Sequence, residues 1–196
     1  MLLKQTLFTA ALFVATGTAL AQSSTWTVET AHSGAEFSIR HLGVSNVHGK
    51  IGGLKGVVVW DAADPAKSHV EATMDANSVD TGEPRRDGHL KSETFFDVAK
   101  YPTITFKSTA VKRNGEGKLQ IIGDLTLGGQ TKPVTLDVDG PAAPQPGPNG
   151  KTLSGFSATG VISRENFNFG QDVKYKPPVL GDEVKFTIDL EVAKQQ

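Results

Sequence analysis

The chain has 196 residues, no cysteine and a formal net charge of −1 at neutral pH. Without cysteine, disulfides, thiolate metal sites, thiol catalysis and lipid anchoring through a thiol are excluded. A charge this close to zero gives no electrostatic footprint for nucleic acid or for a polybasic membrane patch, and the length suits one domain with a sizeable core.

Lys4 is the only charge in the first 28 residues. An apolar run from Leu7 to Leu20 follows it and ends in Ala19-Leu20-Ala21. A charged start, a short apolar run and small residues at a cleavage site are the pattern of a secretory signal. Residues 1–21 are therefore expected to be removed, leaving residues 22–196 as a single domain of formal charge −2, since Lys4 leaves and no acid goes with it. The run is short for a bilayer span, so no stable membrane anchor is expected. A cleavable signal and an absence of cysteine together favour the periplasm.

The remaining sequence reads as strand after strand. Trp26–Thr30 is a first short one. Ala35–His41 alternates, with Phe37, Ile39 and His41 on one face. Val44–Asp61 reads as a long strand broken by Gly49, Gly52, Gly53 and Gly56, where bends or close approaches are expected. His69–Asp75 puts Val70, Ala72 and Met74 on one face. Thr103–Val111 turns Ile104 and Phe106 inward, and Lys118–Leu127 meets Lys132–Asp139 across the turn at Gly128-Gly129. The proline- and glycine-rich segment Gly140–Gly150 resembles a linker, but only two strands follow it, Leu153–Ser163 and Glu183–Ala193. Two strands are not a stable unit, so they are expected to close the same sheet. Between them, Arg164–Leu180 is irregular and carries Phe167, Phe169 and Tyr175.

Eight or nine amphipathic strands with hairpin-length links predict an all-β protein, an eight-stranded antiparallel up-and-down barrel. Such a barrel is either filled by side chains or holds one elongated ligand. Small residues at inward positions (Gly56, Ala72, Gly123, Ala158 and Gly160) favour a cavity, lined by Phe37, Ile39, Met74, Phe106, Phe156, Ile162 and Phe186. The alternative is that the larger side chains fill these gaps.

The segment Asp75–Tyr101 breaks the alternation. Pro84 suits the first turn of a helix, predicted over about residues 84–94 and placed near an opening of the barrel. Leu90, Phe95 and Phe96 would face the barrel. Arg85 and Arg86 stand where the helix dipole disfavours cations. One of them is expected to meet Asp75, Asp80 or an anionic head group, unless this is a plain solvated turn. No G-x-S-x-G elbow, P-loop or dinucleotide fingerprint occurs, and His32, His41, His48, His69 and His89 are scattered. No catalytic residue, cofactor or metal is expected, and the chain is not read as an enzyme.

Several pieces carry a family resemblance: Ala31-His32-Ser33, Phe37-Ser38-Ile39-Arg40-His41, Gly43-Val44-Ser45 and Val47-His48-Gly49. So do Ser78-Val79-Asp80-Thr81-Gly82, Arg86-Asp87-Gly88-His89-Leu90-Lys91-Ser92, Phe95-Phe96-Asp97-Val98 and Arg164-Glu165-Asn166-Phe167. With Lys100-Tyr101-Pro102, Ile104–Ser108, Gly123–Leu127 and Lys132-Pro133-Val134 they run from about Trp26 to Val192. The chain resembles the YceI family of lipocalin-like polyisoprenoid-binding proteins. The resemblance implies an extended, lipocalin-like barrel with a hydrophobic tunnel for a long amphiphile, a polyprenyl phosphate or an isoprenoid quinone, and dimers are common in such proteins. One departure is Asn168-Phe169 ahead of Gly170. The expected function is binding, transport or storage of a long isoprenoid, with Arg86, His89 and Arg164 as head-group candidates at the mouth. The alternatives are a stress-related structural or interaction protein with a filled barrel and, behind it, an enzyme acting on a lipid or quinone.

Overall fold

The structure is a computed structural model that describes residues 23–170 and 179–195. Strands dominate it: β1 (Ser24–Val28), β2 (Gly34–His41), β3 (Ser45–Ile51), β4 (Lys55–Trp60), β5 (His69–Asp75), β6 (Thr103–Arg113), β7 (Lys118–Leu127), β8 (Gln130–Asp139), β9 (Gln145–Pro146), β10 (Thr152–Ser163) and β11 (Leu180–Lys194). One short helix, α1 (Pro84–Leu90), joins them.

Eight strands close into a ring, in the order β11, β1, β4, β5, β6, β7, β8 and β10, every pair antiparallel. β1 and β2 are two legs of one bent strand, because both pair with β11: β1 along Val192–Lys194 and β2 along Leu180–Asp189. β3 and β4 form a second bent strand, since β3 pairs with β2 and β4 with β1. The bend falls at Gly52 and Gly53. Gly53 takes φ +67°, and a Cβ there would meet Asp75 Cβ at 2.9 Å, so glycine suits the corner on both counts. The broken long strand read from the sequence is thus β3, a glycine corner and β4.

The hairpin β2–β3 stands above the ring. Among the described residues β3 meets no full strand on its other side, only the isolated bridge between Lys50 and Asp80. The α1 segment lies against that edge. The loop 140–150 is an exposed connection at the opposite end, and β10 after it pairs with β8 and β11, so no domain boundary falls there. The helix is shorter than predicted: turns replace it after Leu90, where Phe96 N–H donates to Leu90 O and Val98 N–H to Lys91 O.

Three apolar clusters pack the interior walls. Val111, Leu119, Ile121, Leu136 and Val138 pack the lower wall between β6 and β8. Trp26, Leu54, Val58 and Val192 pack the wall of β1, β4 and β11. Ile51, Val79, Phe96, Ile104, Leu127, Phe167 and Phe169 cover part of the upper end. There Phe169 meets Phe96 edge to face at 4.9 Å between ring centres and Phe95 at 6.3 Å. The residues that depart from the family pattern shape this cover: Asn168 takes φ +59° and turns Phe169 inward. The signal-peptide reading and Tyr175 lie outside the described residues.

Candidate functional site: an apolar cavity with a polar mouth

The barrel encloses an elongated cavity of about 560 Å³. Ligand pockets fall in the range of about 300–1,000 Å³. Along β11 its lining runs from Leu180 to Leu190, roughly 30 Å at about 3.3 Å per residue. Phe37, Ile39, Met74, Leu90, Phe95, Phe96, Phe106, Phe156, Ile162 and Phe186 all line it, as do Arg86, His89 and Arg164. Lining residues that the sequence reading did not assign to the cavity include Leu54, Val58, Trp60, Val184 and Ile188. Most of them continue the inward period of strands already recognised.

The ends of the cavity differ. Val111, Leu119 and Val138 line the lower end, each about 3 % exposed. At the upper end most polar groups gather: His41 and Ser45 at the β2–β3 turn, Thr81, Arg86 and His89 from the α1 segment, and Arg164. Ser45 and His89 are exposed, so the mouth lies here.

The glycines facing the lumen do not widen it as gaps. A Cβ on Gly160 would meet Phe186 Cζ at 2.5 Å, and one on Gly123 would meet Phe106 Cζ at 2.5 Å. A Cβ on Gly49 would clash with the Phe37 ring in the same way. Gly49 is the register partner of Phe37, and Gly160 that of Phe186. Each ring lies over the glycine of a neighbouring strand. It occupies space beside the wall that a side chain would otherwise take, and the centre of the lumen stays clear. Gly56 instead admits the β5 backbone at Glu71 and Ala72. Gly123 and Gly160, read from the sequence as gaps, are thus filled, while Ala72 and Ala158 do line the cavity, which persists because the ring filling is flat.

The two guanidinium groups at the mouth differ in their engagement. Arg164 is 9 % exposed. Its Nε donates to Gly181 O at 2.9 Å, Nη1 to Phe169 O at 2.8 Å, and Nη2 to Leu180 O at 3.4 Å and Glu165 Oε1 at 3.3 Å. It ties the segment after β10 to the start of β11. Arg86 is held by Thr81: Nε donates to the hydroxyl at 2.7 Å and Nη2 to the carbonyl at 2.9 Å. Thr81 in turn donates its hydroxyl to Asp87 Oδ1 at 2.5 Å, and its N–H to the same oxygen at 2.8 Å. Nη1 of Arg86 takes no part in these bonds.

The predicted carboxylate partners are used elsewhere. Asp75 accepts from Asn77 N–H, while Asp80 accepts from Gly82 N–H and pairs with Lys50 at 3.2 Å. Glu83 offsets the two cations at the helix start by accepting from the N–H groups of Arg85 and Arg86. His89 meets Phe95 edge to face at 5.0 Å between ring centres. No group of three or more His, Asp or Glu able to hold a metal occurs among the described residues.

The model of the YceI-like domain matches residues 26–192. The chain is 40 % identical over 163 residues to a UPF0312 protein of Yersinia pestis strain Pestoides F, covering 83 % of this chain and 84 % of that one. It is 37 % identical over 187 residues to the protein YceI of Salmonella arizonae, covering 95 % of each. Among solved structures it is similar to BcnA of Burkholderia cenocepacia, with a TM-score of 0.71, 27 % identity and coverage of 84 % of this chain and 98 % of that one. A polyisoprenoid-binding domain from Saccharophagus degradans shares the fold at a TM-score of 0.60 and 16 % identity, with 89 % of this chain and all of that one covered.

Proposed function

The chain belongs to the YceI family, and from that premise we propose that it is a periplasmic carrier or store for a long-chain isoprenoid lipid. The observation that carries this reading is the shape and polarity of the cavity: long, apolar along its walls, and polar at one mouth. An isoprenoid with one polar head matches that pattern in order. The fold and family are of a binding-domain type, which supports binding rather than catalysis. The N-terminal apolar run ending in Ala19-Leu20-Ala21 supports export.

Burial alone sets no tight limit on the ligand. Each methylene removed from water contributes about 0.8 kcal/mol, so a prenyl tail of tens of carbons would pass the roughly −20 kcal/mol at which real affinities saturate. Ordering the tail and withdrawing it from a bilayer cancel most of that gain. Selectivity along the tail is therefore loose. Head-group selectivity rests with the groups at the mouth, where Arg86 with Nη1 outside its Thr81 bonds, and His89, are better placed than the fully engaged Arg164. Whether the head is a phosphate or a quinone follows from which of these binds. A phosphate would draw on the guanidinium, and a quinone carbonyl needs only one donor.

Organic extraction of the purified protein followed by mass spectrometry, with a parallel uptake assay using ubiquinone and undecaprenyl phosphate, tests the proposal. Recovery of an isoprenoid, or saturable uptake of one, is expected. No extracted lipid and no uptake of either would overturn it and favour a ligand-free interaction protein.

A further inference from the structure

Among the described residues three large apolar side chains are exposed: Leu42, Val44 and Val161. Two of them belong to one turn. His41–Val44 closes the β2–β3 hairpin, with Val44 N–H donating to His41 O at 2.9 Å. Leu42 takes φ +51° and Gly43 φ +67°, two left-handed positions in succession within the three-residue link between the paired residues His41 and Ser45. Asparagine, aspartate and glycine favour the first of these positions, because a branched carbon chain is strained there. Leu42 thus works against the backbone, and at 50 % exposure it also works against hydration. An asparagine would relieve both. A local outlier that costs twice within the folded chain points to a use outside it.

The turn stands at the mouth. His41 and Ser45, on either side of it, line the cavity, and Leu42 N–H donates to the carbonyl of Val179, another lining residue, at 2.7 Å. Val44 is 78 % exposed beside it. Two side chains fall far short of the roughly 800 Å² per partner that a stable protein interface buries, so a second copy of the chain is a poor occupant. They suit insertion into the head-group and acyl boundary of a bilayer, which accepts a small apolar tip and favours a cation at phosphate level. Arg40 supplies that cation. It is exposed at the base of the turn and held there by Gly43 O at 2.9 Å and Asn46 Oδ1 at 3.3 Å.

We infer that the β2–β3 turn is a docking tip for an anionic lipid bilayer, which holds the cavity mouth against the membrane while a long apolar ligand passes between the two. The inference rests on the reading of the cavity as an isoprenoid site, but its test does not. Flotation of the purified protein with vesicles of phosphatidylethanolamine and phosphatidylglycerol reads docking directly. The double variant Leu42→Asn, Val44→Thr should partition about a hundredfold less, roughly tenfold for each apolar side chain. It should also melt no lower than the parent, because asparagine suits the turn. Arg40→Gln should weaken flotation on these vesicles and leave it nearly unchanged on pure phosphatidylcholine.

Loading separates the two ideas. The double variant should take up ubiquinone normally from detergent micelles and slowly from vesicles. Equal flotation of parent and double variant, or no flotation of the parent, overturns the docking tip. Failure of the parent to load from either donor counts against the isoprenoid reading and leaves flotation to decide docking alone.

Discussion

Below the corner at Gly52 and Gly53 the wall is eight strands hydrogen-bonded in a ring; above it, among the described residues, the ring is interrupted between β3 and β6, and β10 pairs with β8 only over Ser157–Thr159. There a single bridge, Lys50 to Asp80, and the α1 segment stand in for a strand. Backbone bonds hold the lower half and are indifferent to most side chains. Particular side chains hold the upper half. Ser78 Oγ accepts from Gly52 N–H at 2.8 Å and donates to Asp75 O at 2.6 Å, and Thr81, Asp87 and Arg86 form one linked group. A body that keeps its shape and a mouth that can be adjusted residue by residue suit a binding barrel. The contrast also predicts that substitutions near the mouth loosen the mouth without unfolding the body, with one exception.

That exception is Arg164, and it carries the largest expected effect. Its buried guanidinium satisfies three carbonyls on two separated segments. Arg164→Met should lower the unfolding free energy by about 3 kcal/mol, since hydrogen bonds to charged groups contribute about 1.5–3 kcal/mol each and are not additive. Urea unfolding measures it. A loss below about 1 kcal/mol would mean that the guanidinium is free for a ligand, and Arg164 would return as a head-group residue.

Next is Gly160→Leu. The new side chain must displace the Phe186 ring from the wall. Overpacking of this kind costs about 1–3 kcal/mol, and the displaced ring enters the lumen. Uptake of a prenylated ligand should fall sharply while the barrel still folds, as circular dichroism would report. The companion change Phe186→Ala in the same chain should restore uptake. Normal loading by Gly160→Leu alone would show that the ring is not what sets the width of the lumen.

Thr81→Val is smaller. It removes the acceptor for Arg86 Nε and the hydroxyl donor to Asp87, and should cost about 1 kcal/mol. Amide exchange should accelerate over residues 79–91 and stay unchanged in β6–β8. Faster exchange throughout the ring would break the distinction between the two halves.

The strands were legible because their inward period of two is written locally. The bent strand was legible because Gly49, Gly52, Gly53 and Gly56 interrupt an otherwise strand-like run. What was not legible depends on register. Phe37 over Gly49, Phe106 over Gly123 and Phe186 over Gly160 join residues far apart in sequence, so Gly123 and Gly160 read as gaps, and Gly49 as a break in a strand, when they are seats for rings. The Arg85-Arg86 pair shows that a partner is needed but not which one: the carboxylates of Asp75 and Asp80 are the obvious candidates, and Thr81, a neutral residue five positions before Arg86, takes the place instead. Leu42 drew no notice because leucine in a turn becomes anomalous only once its φ is known.

The least effect expected is on pH dependence, and it sets one exposed ion pair in each half against the other. In the ring, Lys107 donates to Glu71 Oε1 at 2.7 Å; that hydrogen bond first, and the lysine charge second, hold the carboxyl below its ordinary 4.5. At the interrupted edge, the Gly82 N–H first and Lys50 second hold Asp80 below its ordinary 3.8. A carboxylate with a depressed folded value stabilises the fold above its unfolded value, and the contribution is lost as pH falls through the folded one. Lys107, raised above its ordinary 10.5 by the same hydrogen bond, stabilises fully below that value and loses its contribution as pH climbs through the raised one. Lys107→Gln should therefore differ slightly from the parent at neutral pH and match it in strong acid, where Glu71 is protonated, with the difference shrinking in high salt. The difference between Asp80→Asn and the parent should likewise fade as pH falls and Asp80 is protonated, but it acts locally. It keeps an oxygen for Gly82 N–H, loses the pair with Lys50, and should speed amide exchange in β3 while the urea midpoint hardly moves. If Asp80→Asn instead lowered the midpoint as far as Arg164→Met, the Lys50–Asp80 bridge would be closing the ring in place of a strand, and the two halves would unfold as one.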